Sequence, residues 1–189
     1  MPGRAPGLHL SEAGQAQAAA VADRLAGLKL DALYTSPLER ARETAAPTAV
    51  ATGLAPIDEP GLLESDVGEW TGQSLGALAK LGPWRGLQSS PSTFRFPGGE
   101  SLAELQARVV AVLDRVQAAH PGGVVACFTH ADPIRLALTF ALGAHLDAFG
   151  RVGVDTGSIS AIRFSVGAPP LVLATNSVTG PLAGLASGS

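Results

Sequence analysis

With a single cysteine, Cys127, among its 189 residues, the chain can form no intrachain disulfide. Cys127 lies inside an apolar run and reads as a small buried hydrophobe in a reducing cytoplasm. Charge is scarce as well: 15% of the residues are charged and the net charge is -3. That balance gives no electrostatic case for nucleic acid or for an anionic membrane as partner. No stretch approaches the roughly 20 apolar residues of a membrane span. The longest apolar run, residues 136–142, is interrupted by Thr139 and reads as a buried helix. Pro2, Gly3, Arg4, Pro6 and Gly7 break up the N-terminus, so no secretory apolar core is expected there. No Gly-x-Gly-x-x-Gly follows a strand, no lysine follows the double glycine Gly98-Gly99, and no His/Cys cluster has metal spacing. Dinucleotide, nucleotide P-loop and zinc readings therefore lack support. His9, His120 and His145 each stand alone and read as structural or exposed.

What is present is hydrophobic residue at 46%, which indicates a compact protein rather than a disordered one. The length suits one domain, residues 1–189, able to bury roughly 70% of its unfolded surface. Residues 1–10 read as loop. A helix is expected over 11–28, capped by Ser11, with Ala18, Val21, Leu25 and Leu28 as its apolar stripe. A short strand over 32–34 follows, then a helix opened by Pro37 and running to about Ala51, an extended piece around Ile57, and a small helix over 75–81. Residues 73–99 form a variable segment, of which 82–99, rich in Pro, Gly and Ser, reads as a long loop or lid. A strong helix spans 100–120, since Leu102, Leu105, Val109, Leu113 and Val116 recur at helical spacing. Strands are expected at 124–128, 152–154, 158–164 and 171–174, a helix at 133–143, and a loose tail over 176–189. Helices alternating with apolar strands make the chain α/β, with a mainly parallel sheet.

The organising stretch is Val124 to Arg135. Five apolar residues read as a strand buried on both faces, as in a parallel sheet. Asp132-Pro133 reads as a helix start, a carboxylate cap followed by proline. His130 then sits at the carboxyl end of the strand, before a helix N-terminus, where open α/β sheets bind ligands and where free N–H groups favour an anion. A second marker is Thr35-Ser36-Pro37-Leu38-Glu39-Arg40-Ala41-Arg42. Arg40 and Arg42 lie about 200° apart on a helix, so only one can face the strand edge. A guanidinium there suits a phosphate or carboxylate, since its fork donates two hydrogen bonds. A third marker is the segment 62–72. Glu64 follows two leucines, and partial burial would raise its pKa and keep it a usable acid near neutrality. Trp70 reads as core and Glu69 as solvated. The fourth, Phe96-Pro97-Gly98-Gly99-Glu100-Ser101, is a turn into the long helix.

In this order the four markers resemble the histidine phosphatase superfamily, in its phosphoglycerate-mutase-like branch, with a small bacterial phosphatase subgroup nearest. The segment 10–18 resembles the first helix of the family, 35–45 its second-arginine motif, Glu64 with 68–72 its acid loop, 97–101 its helix entry, and Thr129-His130 its second histidine. The resemblance implies a three-layer α/β/α sandwich and a phosphoric monoester hydrolase acting through a phosphohistidine on a small phosphorylated metabolite. It further implies that Arg40 and His130 bind the transferred phosphoryl group and that Glu64 donates the proton. No metal or other cofactor is implied, because arginine and histidine supply the charge that magnesium supplies elsewhere. Arg42 stays outside the carry-over.

The chain departs from the family in one respect. The family begins with a central strand ending in Arg-His-Gly, whose histidine is the nucleophile, and no Arg-His-Gly occurs here. The nucleophile and its strand are therefore expected upstream of Met1, and the chain as given is expected to be inactive or nearly so. A phosphoglycerate-type mutase and a non-catalytic phosphate-binding pseudoenzyme stand as alternatives. A homodimer through a sheet edge or the 133–143 helix is compatible with the sequence, which fixes no stoichiometry.

Overall fold

A computed structural model describes residues 1–178. Ser11 starts the first helix, α1 (Glu12–Leu25), by accepting a hydrogen bond from the Gly14 N–H at 3.2 Å, and Ala18, Val21 and Ala22 are buried along one side. Strand β1 (Ala32–Thr35) leads into α2 (Glu39–Thr52), which Gly53 closes at φ 71°, a conformation glycine adopts without a Cβ penalty. Then follow β2 (Pro56–Asp58), the short α3 (Leu75–Leu78) and α4 (Gly82–Ser89). Helix α5 (Leu102–Ala119) begins with a reciprocal capping box between Ser101 and Glu104. The remaining elements are β3 (Val125–Phe128), α6 (Ala131–Ala141), β4 (Ile159–Ser165) and β5 (Ala168–Ser177).

The strands form a three-stranded parallel sheet in the order β2-β1-β3, with Leu33 opposite Pro56 on one side and Ala126 on the other, and a separate antiparallel hairpin, β4-β5. This is the α/β architecture with a mostly parallel sheet that the alternation of elements implies. One apolar cluster joins α1 and α2 to the sheet through Val21, Leu33, Ala45 and Phe128. A second joins α5 and α6 to the central segment through Leu105, Val109, Leu136, Trp70, Phe94 and Phe96. Trp70 is core, as expected, with Trp84, Phe94 and Phe96 ring centroids 5.6–5.8 Å away. Among the described residues, no helix is long and apolar enough to cross a membrane.

The structure corrects five expectations. Strand β3 is not buried on both faces: Val124, just before it, is 45% exposed, Val125 to Cys127 are half-buried, and only Phe128 is buried. The reason is pairing, since among the described residues β3 has β1 as its one strand partner and β4 has only β5. The span 82–99 is not all loop. Gly82-Pro83 starts α4, whose Trp84 and Leu87 pack on the aromatic cluster. Residues 152–154 form no strand. Helix α6 starts two residues early: the His130 carbonyl accepts the Ile134 N–H at 3.1 Å, so His130 is the cap position and Asp132 lies inside the first turn. Of the tail expected over 176–189, Asn176 and Ser177 belong to β5, and 179–189 lie outside the described residues.

Candidate active site

At the carboxyl ends of β1 and β3 the chain is clamped by the Ser36 N–H, which donates to the Phe128 carbonyl at 2.8 Å. His130, 8% exposed, follows directly, and its Nε2 shares a 2.8 Å hydrogen bond with Ser36 Oγ. Burial first, then the positive charges of Arg40 and Arg108, push the His130 imidazole down to about 3, so it is neutral near pH 7. Neither Ser36 nor its hydroxyl was singled out by sequence. The only available signal was its place between a strand end and Pro37.

Arg40 enters from the first turn of α2. Its Nη2 donates to the Gly3 carbonyl at 3.0 Å, while its Nη1 is buried with no hydrogen-bond partner among the described residues. Burial lowers its pKa, opposed by the charges of Glu64 and Glu39. Arg42 points the other way, exposed and bidentate on Asp58. The 200° separation on the helix is thus realised, with Arg40 on the strand-edge side.

Glu64 arrives on a loop whose carbonyls are tied down one after another. Arg108 on α5 donates to the carbonyls of Gly61 at 2.7 Å and Leu63 at 2.9 Å, Thr129 Oγ1 donates to Leu62 at 2.6 Å, and Arg4 Nε donates to Glu64 itself at 2.8 Å. Arg4 and Arg108 meet on one carboxylate oxygen, Glu100 Oε1, at 3.0 and 2.8 Å. That oxygen also accepts the Asp66 N–H at 2.8 Å. Arg4 is therefore committed to holding the loop rather than to reaching for an anion. Burial, followed by the carboxylate of Asp132, pushes the Glu64 carboxyl up to about 8. The loop packs backbone to backbone on the Pro97-Gly98-Gly99 turn. A Cβ on Gly68, at φ 50°, would lie 2.2 Å from the Pro97 carbonyl oxygen, and one on Gly99 would lie 2.2 Å from that of Asp66. Close approach, not phosphate, explains these glycines.

Arg40, Glu64 and His130 are thus brought together, each within range of another's charge: Arg40 acts on both Glu64 and His130. The other histidines are elsewhere. His9 pairs with Glu43, His120 meets the Tyr34 hydroxyl at 3.0 Å, and His145 sits beside Asp147. A buried guanidinium with a free N–H, a neutral imidazole and a protonated carboxyl beside a helix N-terminus can hold an oxyanion and supply a proton to it.

The model of the histidine phosphatase superfamily (branch 1) matches residues 2–177. The chain belongs to this superfamily. Phosphoserine phosphatase 1 of Hydrogenobacter thermophilus is 36% identical over 156 residues, which are 82% of this chain and 74% of that protein. Phosphoglycerate mutase-like protein 4 of Arabidopsis thaliana is 33% identical over 133 residues, 68% of this chain and 58% of that protein. Among solved structures, a mycobacterial glucosyl-3-phosphoglycerate phosphatase superposes with a TM-score of 0.85 at 23% identity, covering 94% of this chain and 91% of that one. At that identity the likeness speaks for the fold.

Proposed function

We propose that this protein is a phosphoric monoester hydrolase working through a phosphohistidine on a small phosphorylated metabolite. The observation that carries the reading is the buried Nη1 of Arg40, without a partner among the described residues, beside His130 and the protonated Glu64. A buried N–H without an acceptor costs free energy unless something accepts from it, and a phosphoryl oxygen does so with a charge-assisted bond. In the first step a histidine nitrogen attacks phosphorus, the ester P–O bond breaks, and Glu64 gives its proton to the departing alkoxide. In the second, water attacks phosphorus, its proton returns to the Glu64 carboxylate, and the P–N bond breaks to release phosphate. Arg40 and His130 hold the phosphoryl oxygens throughout.

His130 holds the phosphoryl group from the side and cannot also attack it in line, so the nucleophile is a second histidine. We place it on an apolar strand that adds, parallel, to the edge of β3 left unpaired among the described residues. In a parallel register its carboxyl end reaches the edge where His130 lies. The test is release of phosphate from an aryl phosphate and from phosphoserine, the latter because of the Hydrogenobacter relative's name. The chain from Met1 is expected to show at most a trace rate. The same chain preceded by an apolar strand ending in Arg-His-Gly is expected to turn over, and changing the added histidine to alanine to abolish it. Robust turnover by the Met1 chain that is insensitive to His130→Ala would overturn the reading. Anion binding with no turnover in any form would make this a phosphate-binding protein instead.

A further inference from the structure

We infer that Asp132 is a positioning residue for the proton donor, acting on Glu64 through the hydroxyl of Ser65. The inference rests on Glu64 as the acid of the proposed hydrolase. Ser65 is fully buried, and its N–H donates to Glu64 Oε1 at 2.9 Å. Its hydroxyl oxygen lies 3.4 Å from the same Oε1 and donates to Asp132 Oδ2 through a short hydrogen bond. On the far side Arg135 Nη1 donates to Asp132 Oδ1 at 3.2 Å. Arg135 is itself fixed, by a 3.1 Å bond from Nε to the Val152 carbonyl and by the Phe149 ring 5.6 Å away. The order Glu64, Ser65, Asp132, Arg135 therefore spans two carboxyls bridged by one hydroxyl, with a guanidinium on only one of them.

Two carboxyls that close do not both carry a charge at low cost. The pair settles with the proton on the one whose surroundings offer less to an anion. Asp132 has its guanidinium partner. The charged groups around Glu64 are Arg40 from α2, Asp132 from α6, and Arg4 and Arg108, whose hydrogen bonds to this residue go to its main-chain carbonyl. Glu100 and Asp66 are engaged by Arg4 and Arg108 one layer further out, and the neighbouring His130 is neutral. Arg40 draws Glu64 toward its ionised form, and Asp132 opposes it. Placement of Asp132 inside the first turn of α6, rather than at its cap, frees the carboxylate to turn sideways onto Ser65.

The experiment is a carbon-detected NMR titration of the side-chain carboxyls of the chain itself, so it does not depend on turnover. Asp132→Asn is expected to move the Glu64 midpoint down by about one pH unit or more, and Asp132→Glu to return most of that shift. In the unsubstituted chain the Asp132 carboxyl signal is expected to show an inflection at the Glu64 midpoint, and Glu64→Gln to remove it, because coupling is reciprocal. This second measurement stands even if Asp132→Asn folds poorly. A Glu64 midpoint that Asp132→Asn leaves in place, or an Asp132 signal with no such inflection, would overturn the inference. In the strand-extended active form, the alkaline limb of kcat/KM is expected to move with the Glu64 midpoint. A midpoint that moves while the limb stays put would sustain the Asp132 coupling and remove Glu64 from the donor role.

Discussion

At the scale of single residues, Arg40 and Arg42 make a controlled pair. They share a helix turn, and both are arginines. Among the described residues one has a buried N–H with no acceptor, and the other is exposed and spent on Asp58. Arg40→Lys replaces a fork with a point charge and is expected to weaken inorganic phosphate binding by about tenfold or more, the scale of one charge-assisted hydrogen bond. Arg42→Lys is expected to leave it within about twofold, since exposed pairs contribute little. Calorimetric titration with phosphate checks both, and equal losses would mean that the wrong guanidinium has been assigned to the anion. Helical geometry let the sequence say that one arginine must turn away. Which one does so depends on Gly3, whose carbonyl receives Arg40 from a distant loop. Ser36, Ser65, Asp132, Glu100 and Arg108 were not readable as site residues, because a side chain of ordinary type becomes functional only through its partners.

At the scale of elements, the acid loop and the glycine turn form one unit. Gly68 is at positive φ and its α-carbon faces the Pro97 carbonyl with no room for a methyl group. Gly68→Ala is expected to cost about 2 kcal/mol or more, combining backbone strain with a contact that must open. The same change is expected to lower the raised proton affinity of Glu64, because the loop carries that carboxyl. Chemical denaturation measures the first and the NMR titration the second. Wild-type stability in Gly68→Ala would show that the two segments separate freely. Gly, Pro and Ser punctuate the segment 82–99, and by sequence alone that pattern reads as loop. Helix α4 forms there because Pro83 suits a helix start and Trp84 finds the aromatic cluster.

For the whole molecule, the two shifted groups oppose each other in pH. His130 moves from 6.5 down to about 3, so between these values the unfolded chain binds more protons and stability rises with pH. Glu64 moves from 4.5 up to about 8, so the folded chain binds more protons across that window and stability falls as pH rises. The two slopes act against each other between 4.5 and 6.5. The melting temperature is therefore expected to be nearly flat there, to fall toward pH 3 and to fall again toward pH 8. A maximum at or above pH 8 would contradict the raised acid. Periodicity and punctuation in the chain by themselves determined α1, α2, α5 and α6, the strands of the parallel sheet and the place of His130 at a strand end, because local propensity and apolar spacing act over a few residues, while Arg40 and Glu64 were marked out by the family resemblance. Tertiary structure alone decided that one β3 edge is unpaired among the described residues, that Arg4 and Arg108 converge on Glu100, and that Asp132 answers Glu64 across Ser65. Those features are pairings between segments tens of residues apart, and no local pattern encodes which buried donor will meet which acceptor.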